Sequence, residues 1–404
     1  MSAGPEAVRF PFPASPVPYD PGPEAREEAA KCPVTRVRLP DGSAAWLATG
    51  FRETREVMTD PRYSRALVYT SGRELHGLEL VAAGSILAED PPEHSRLRKL
   101  VAGAFTARRM EALRAEIARV VDDLIGDLRA GPRPADLVRA FSLMLPANVI
   151  CLLLGVPVAD TDRFHQWSSV MFGDWRRTPE ELAGAYAAMS GYIAELIARK
   201  REEPADDLIS VLVDARDSGG KLSEDELVNF CVNLLAAGYE TTANMISLSL
   251  MALHENPGEL ARLREDPGLI PRAVEELLRY VVLEESGTDW MSRLTREEVC
   301  LGGVTIPAGE AVIPAFNYAN RDPAEFEDPD RLDVGREPRT HLAFGAGPHH
   351  CVGAQLARIE LQEAFRGLLR LPGLRLAVPV PELEFREAHA VTSVRELPVT
   401  WDDP

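Results

Sequence analysis

Basic residues are the scarce kind in this 404-residue chain: 44 Lys and Arg stand against 63 Asp and Glu, a formal net charge of −19. A body this acidic has no global field with which to gather nucleic acid, so no nucleic-acid partner is expected. Cysteine is sparse too. Cys32, Cys151, Cys231, Cys300 and Cys351 are odd in number, far apart in the chain, and form no Cys-x-x-Cys pair. That argues against a disulfide framework and a structural zinc knuckle, and fits a reducing compartment. Long apolar runs are missing as well. The most apolar stretch, VICLLLGVPV from Val149, falls short of the roughly 20 residues a spanning helix needs. The opening, MSAGPEAVRFPFPASPVPYDPGPE, holds no segment suited to export or anchoring. A cytoplasmic, monomeric protein without a membrane partner is the expectation.

What is present is enough for a large core, since 45% of the residues are apolar. No repeat, low-complexity block or linker divides the chain. The economical organisation is a proline-rich arm over residues 1–30, lying on the surface, and a single domain over 31–404. The fold class reads as mainly α with small β-sheets. VTRVRLPDGSAAWLATG alternates around Pro40, Asp41 and Gly42, which predicts a β-hairpin. Apolar residues at three- and four-residue steps predict helices over Glu93 to Phe105, Met110 to Leu128 and Pro179 to Arg201. Strand patterns return between Val299 and Phe316, with turns at Gly302-Gly303 and Ala308-Gly309, and again around LRLAVPV and LPVTW near the C-terminus.

One helix stands out. Ser223 with Glu226 three residues on forms a capping box, and the helical pattern then runs to about His254, with Pro257 beyond it. At 1.5 Å per residue this is roughly 45 to 50 Å, the width of a whole domain. Such a helix must cross the core, yet its middle reads LLAAGYETTANMIS. Glycine costs about 1 kcal/mol in a helix interior, and a buried carboxylate costs more unless it is paired. A polar face turned to solvent, or back-bonded to the preceding turn, is the ordinary account of such residues. In a core-crossing helix, a loosened turn with an acid and a hydroxyl looks more like a site.

The segment FGAGPHHCVGAQLAR, residues 344–358, sets one thiol among three glycines and two histidines before a helix start. Adjacent histidines seldom point to one tetrahedral zinc, and a fourth ligand at recognised spacing is missing. A nucleophilic cysteine benefits from a helix start, but Gly345, Gly347 and Gly353 clear more space than a small acyl substrate requires. An inert buried cysteine leaves those glycines unexplained. A thiolate bound to haem iron uses all of them, because a flat macrocycle needs backbone close against one face and the sulfur needs N–H donors to stay anionic.

FGAGPHHCVG resembles the cysteine-loop signature of the cytochrome P-450 superfamily, with Phe344, Gly345, Gly347, His349, Cys351 and Gly353 at the family's places. Further matches follow in the family's order from about residue 30 to the C-terminus. AGYETT resembles the oxygen-activating turn of its long central helix, Glu276-Leu-Leu-Arg279 its Glu-x-x-Arg pair, EDPPEHSRLRKLV its propionate-binding segment, and NRDPAEF a hallmark of bacterial members. The resemblance implies haem b (iron protoporphyrin IX) held between the central helix and the cysteine-loop helix. Cys351 would be the axial ligand and Phe344 its shield, while His349, His94, Arg98 and Arg293 would hold the propionates. Gly345 and Gly353 would lie against the haem from one side, Ala237 and Gly238 from the other, with Gly238 letting the helix open locally for O2. Glu240 and Thr241 would relay protons. Glu276, Arg279 and Arg331, in PDRL, would form a buried charge network with a structural role.

The family also implies the chemistry: O2-dependent hydroxylation or epoxidation of a medium-sized natural product, in the manner of actinobacterial members that tailor secondary metabolites. The alternative is oxidative coupling or ring closure on the same haem without oxygen insertion. With no reductase segment in the chain, electrons are expected from a ferredoxin and its reductase, docked near Arg96, Lys99, Arg108, Arg109 and Arg366. Substrate contacts are expected from Asn233, Ala236, Leu283, Trp290 and Met171, and from the variable stretches Tyr69 to Ile86 and Phe164 to Trp175. After Arg279 the segment VVLEESGTDWMSR lacks the proline usual in bacterial members, so Glu284 and Glu285 border an unusual pocket or face solvent.

Overall fold

The computed structural model describes residues 8–12, 15, 17, 19–71, 85–172, 178–217, 223–283, 291–386 and 391–403. Its organising element is the helix Glu224–Glu255. The Ser223 hydroxyl accepts the N–H of Glu226 at 3.1 Å while the Glu226 carboxylate accepts the N–H of Ser223 at 2.7 Å, so the expected capping box is formed. From Thr242 to Leu253 every residue is buried. Helices Met144–Leu154, Thr161–Phe172, Pro179–Glu202 and Ala354–Leu368 pack around it. Each large aliphatic side chain enclosed in this way contributes about 1.5–3 kcal/mol, which lets one core tolerate a polar turn in its central rod.

The main sheet has six strands in the order Val8–Arg9, Val34–Arg38, Ala44–Ala48, Ala311–Pro314, Arg293–Thr295, Tyr63–Ser64. The predicted hairpin is its middle, with Val34 opposite Ala48 and Arg38 opposite Ala44. Arg293–Thr295 pairs antiparallel with Tyr63–Ser64 on one side and with Ala311–Pro314 on the other. This pairing brings the segment around Arg65 beside Arg293, some 230 residues later in the chain.

Two expectations change. The N-terminal segment does more than lie on the surface: Val8–Arg9 adds a parallel strand to the sheet, and Phe10, Phe12 and Tyr19 are buried. Aromatic side chains of that size gain more by burial than a solvated arm gains in freedom. The helix predicted over Met110 to Leu128 is two pieces, Ala107–Ala112, capped by the Thr106 hydroxyl, and Arg114–Ala130. Among the described residues, no helix is long and apolar enough to cross a membrane.

Candidate active site

The cysteine loop is built from tight turns. Gly345 and Gly347 take φ of +69° and +67°, the left-handed region where a Cβ is costly. At Gly347 a Cβ would also lie 2.6 Å from the Met58 carbonyl oxygen, so the loop abuts the end of helix Phe51–Thr59 only because the residue is glycine. Gly353 is different: its φ is negative and a Cβ there would meet nothing within 4 Å. The protein's own packing leaves that space clear. The Cys351 N–H donates to the Phe344 carbonyl at 2.9 Å, and the helix Ala354–Leu368 starts immediately afterwards. Burial pushes the Cys351 thiol up, against the opposing pull of the Gly353 and Ala354 N–H groups and of Arg98 and Arg358. The cysteine is nevertheless reachable by solvent, as is Ala237 in the middle of the central helix.

One edge of the site is a knot of basic groups. The rings of His94 and His349 stack with centroids 4.2 Å apart. His94 Nδ1 and His349 Nε2 are both buried without a partner among the described residues. Arg293 is 3% exposed and donates to the carbonyls of Met291 (2.7 Å) and Ser292 (3.1 Å). Arg65 donates to the same Ser292 carbonyl at 3.1 Å and to the Tyr69 hydroxyl at 2.7 Å. Burial, followed by the nearby Arg293, His94, Arg65 and Arg98, holds His349 down at about 2. Burial and then Arg65 lower Arg293 to about 9. Asp90 is the acid that offsets His94 and Arg293, and it is already engaged by the Ser64 hydroxyl, the Arg65 N–H and Arg296. Two orphaned ring nitrogens amid buried cations call for an anion, and a pair of carboxylates matches the donor set. A thiol in a cleared loop and a basic edge are together what a haem with two propionates needs; the residues fit the group. Among the described residues no cluster of three or more metal-ligating side chains gathers. Arg65 is absent from the expected set, because only strand pairing brings it there.

Glu240 is 5% exposed, its Oε2 has no partner, and burial pushes its carboxyl up to about 7 against a weaker opposing effect of Arg386. Next to it, the Thr241 hydroxyl donates to the Ala237 carbonyl at 2.7 Å. The local opening expected at Gly238 is not seen: the segment is regular α-helix throughout, and the threonine back-bond is the ordinary device for a hydroxyl in that setting.

Below the loop, Glu276 and Arg279 form a buried two-pronged ion pair, both contacts 2.8 Å. The expected third member, Arg331, is a correction. Its side chain is 62% exposed and pairs with Asp333; only its carbonyl faces the network, accepting from Arg336 at 3.0 Å. The third member is instead Arg336, whose Nε donates to Glu276 at 3.0 Å. Three carbonyls, of Glu327, Asp328 and Arg331, fix the remaining Arg336 donors. Arg336 is one of two cations on the buried Glu276 carboxylate, and losing it leaves that charge to Arg279 alone. Arg336→Ala is thus expected to destabilise the fold by about 3 kcal/mol, and Arg331→Ala by less than about 0.5 kcal/mol, as read by urea unfolding of the two variants side by side. Glu275 was also missed. It accepts from Arg358 at 2.7 and 3.0 Å and pairs with His341 at 3.2 Å. Burial alone would raise its pKa, but these two partners bring it down to about 2.

The substrate side is less complete. Asn233 is half-buried on the central helix, and Leu283, also half-buried, accepts the Thr392 N–H at 2.8 Å. Met171 is 7% exposed within the main core, which leaves it little surface for a ligand. Trp290, Glu284 and Glu285 lie outside the described residues, as do most of Tyr69 to Ile86, the end of Phe164 to Trp175, and the side chain of Ala236.

Comparison with known proteins bears on the same assembly of loop, helix and basic edge. The cytochrome P-450 family model matches residues 70–371. The chain is 47% identical over 370 residues to the mycinamicin IV hydroxylase/epoxidase of Micromonospora griseorubida, covering 91% of this chain and 92% of that one. It is 45% identical over 396 residues to the nocardicin C N-oxygenase of Nocardia uniformis subsp. tsuyamanensis, covering 97% and 98%. A point mutant of the mixed-function P-450 MycG, solved in complex with mycinamicin IV, superposes with a TM-score of 0.90 at 44% identity, over 98% of this chain and all of that one. A cysteine in a glycine-cleared loop, a central helix with an acid and an alcohol at its middle, and full-length similarity to such enzymes lead to one assignment: the chain is a haem-dependent monooxygenase of the cytochrome P-450 family.

Proposed function

We propose that this enzyme inserts oxygen from O2 into a medium-sized natural product, hydroxylating or epoxidising it in secondary-metabolite biosynthesis, with electrons from a separate ferredoxin and its reductase. The observation that carries this reading is Glu240, a buried carboxyl with an unsatisfied oxygen, held at about 7 in the middle of the central helix. Oxygen insertion consumes protons, and a general acid works best when it titrates near the operating pH. With its carboxyl at about 7, Glu240 can give up and regain a proton near neutral pH. Thr241, beside it, keeps its hydroxyl oriented through the Ala237 carbonyl.

In this reading Cys351 would hold the haem iron as a thiolate, stabilised by the Gly353 and Ala354 N–H groups and shielded by Phe344. His349, His94, Arg98 and Arg293 hold the propionates. Gly345 and Gly353 keep side chains away from the macrocycle on the cysteine side, Ala237 and Gly238 on the other. When bound, the haem supplies the redox chemistry that activates O2. Asn233, Ala236, Leu283 and Trp290 remain the proposed substrate contacts. The names of the two relatives, a hydroxylase/epoxidase and an N-oxygenase, support oxygen insertion as the outcome.

Of the basic residues expected to meet the ferredoxin, Arg96 is paired with Glu93 and Glu226, Arg109 with Asp206, and Arg366 with Glu363. Lys99 and Arg108 are exposed and have no acidic partner among the described residues. They are the cations left to meet an acidic surface. The double charge reversal Lys99→Glu with Arg108→Glu is expected to slow ferredoxin-driven reduction about tenfold and to flatten its salt dependence, as followed by stopped-flow absorbance.

Turnover under labelled O2 tests the function. One labelled oxygen atom in the product is the expected result. An unlabelled product that is coupled or ring-closed would sink oxygen insertion and leave oxidative coupling as the activity.

A further inference from the structure

Glu275 stands one residue before the Glu276–Arg279 pair, on the helix Ile270–Tyr280, but serves a different set of partners. Both of its oxygens engage Arg358: Nε reaches Oε1 at 2.7 Å and Nη2 reaches Oε2 at 3.0 Å. Arg358 belongs to the helix that leaves Cys351, and its guanidinium lies over the Phe344 ring with Cζ 4.6 Å from the centroid. His341, the second partner of Glu275, lies beside the same ring at 6.1 Å. Phe344 in turn receives the Cys351 N–H on its carbonyl at 2.9 Å. One carboxylate therefore fixes a planar cation across the aromatic ring that begins the cysteine loop. A two-pronged arginine–carboxylate pair sets orientation as well as distance, and a guanidinium on an aromatic face loses its attraction when it tilts away.

We propose that Glu275 is a positioning residue for the thiolate, holding Arg358 flat on Phe344 and cancelling its charge at the Cys351 sulfur. The proposal rests on Cys351 being the haem ligand. Reduction of the iron adds negative charge next to that sulfur, so an uncancelled cation nearby favours the ferrous state. Glu275→Gln keeps the side-chain shape and removes the charge, exposing the sulfur to Arg358. Arg358→Gln removes the cation and leaves the carboxylate in its place. The two substitutions must therefore move the ferric–ferrous midpoint in opposite directions, and the double variant must return close to wild type.

The experiment is a spectroelectrochemical titration of the haem-loaded protein without substrate, on wild type, Glu275→Gln, Glu275→Asp, Arg358→Gln and the double variant. The expected result is a rise for Glu275→Gln that changes the ferrous-to-ferric ratio about tenfold, or 59 mV. A fall is expected for Arg358→Gln, and Glu275→Asp should stay near wild type. Unchanged midpoints, or shifts of the same sign in both single variants, would overturn the proposal, since a purely structural pair alters thermal stability without that sign reversal. Should Glu275→Gln fail to retain haem, Arg358→Gln alone decides: a lowered midpoint supports the proposal and an unchanged one overturns it. Failure of the ligand assignment is recognised separately, because the reduced wild-type protein would then show no red-displaced Soret band with carbon monoxide.

Discussion

Cys351→Ser is expected to lower turnover at least about a thousandfold, a barrier increase of about 4 kcal/mol, and to erase the red-displaced Soret band of the reduced carbon monoxide complex. The reason is electronic rather than steric. Serine fits the loop, since the Cys351 backbone N–H bond to Phe344 and the turns at Gly345 and Gly347 do not involve the sulfur. A thiolate pushes electron density onto iron in a way a hydroxyl does not. The Gly353 and Ala354 N–H groups, whose pull on the sulfur burial opposes, then have no anion to stabilise. Haem content, read from the pyridine haemochrome, should fall less than activity, because His94, Arg98, Arg293 and His349, the proposed propionate partners, are untouched. A serine variant that kept both the band and the turnover would remove the basis of the site.

Glu240→Gln is the second large effect. It is expected to reduce product formation about a hundredfold while electron consumption falls much less, so that electrons are lost to peroxide instead of product. The pH dependence has a defined sign. Glu240 is raised from 4.5 to about 7, with burial the main cause, so the proton-bearing fraction declines as the pH rises through 7. Coupling in the wild type should decline over the same range, whereas the glutamine variant should be low and flat. Stability follows the same linkage. A carboxyl whose folded pKa is raised contributes fully below its unfolded value and loses that contribution as the pH rises through the folded one. Between pH 4.5 and about 7 the wild type should therefore lose about 3 kcal/mol that Glu240→Gln retains. Denaturant unfolding of both proteins at several pH values measures that difference.

The basic edge and the charge network show where local pattern stops being informative. His94 and Arg98 share a helical repeat and His349 sits in the signature, so all three are legible in the chain itself. Arg65 lies in a segment with no distinguishing pattern, and it joins them only because Tyr63–Ser64 pairs with Arg293–Thr295. In the same way, Arg331 matches the motif by position, yet it is Arg336 that reaches Glu276. Two arginines five residues apart in an irregular loop are equivalent on paper, and the Arg336 side chain is aimed by three backbone carbonyls that the sequence does not display.

By itself, the sequence determined the elements whose signals are local. The central helix is bounded by its capping box and Pro257, the hairpin is marked by alternation around a Pro-Asp-Gly turn, and the cysteine loop by glycines that its own positive φ angles require. These depend on backbone conformation and near neighbours, which residue types specify directly. Tertiary structure alone decided which charges meet: Arg65 with Arg293 over one carbonyl, Arg336 with Glu276, and Glu275 with Arg358 and His341. It also decided that Glu240 is buried with Oε2 unpartnered among the described residues, and so titrates near neutrality. Both outcomes depend on desolvation, which is a property of what every other element places around a group and not of the residues on either side of it.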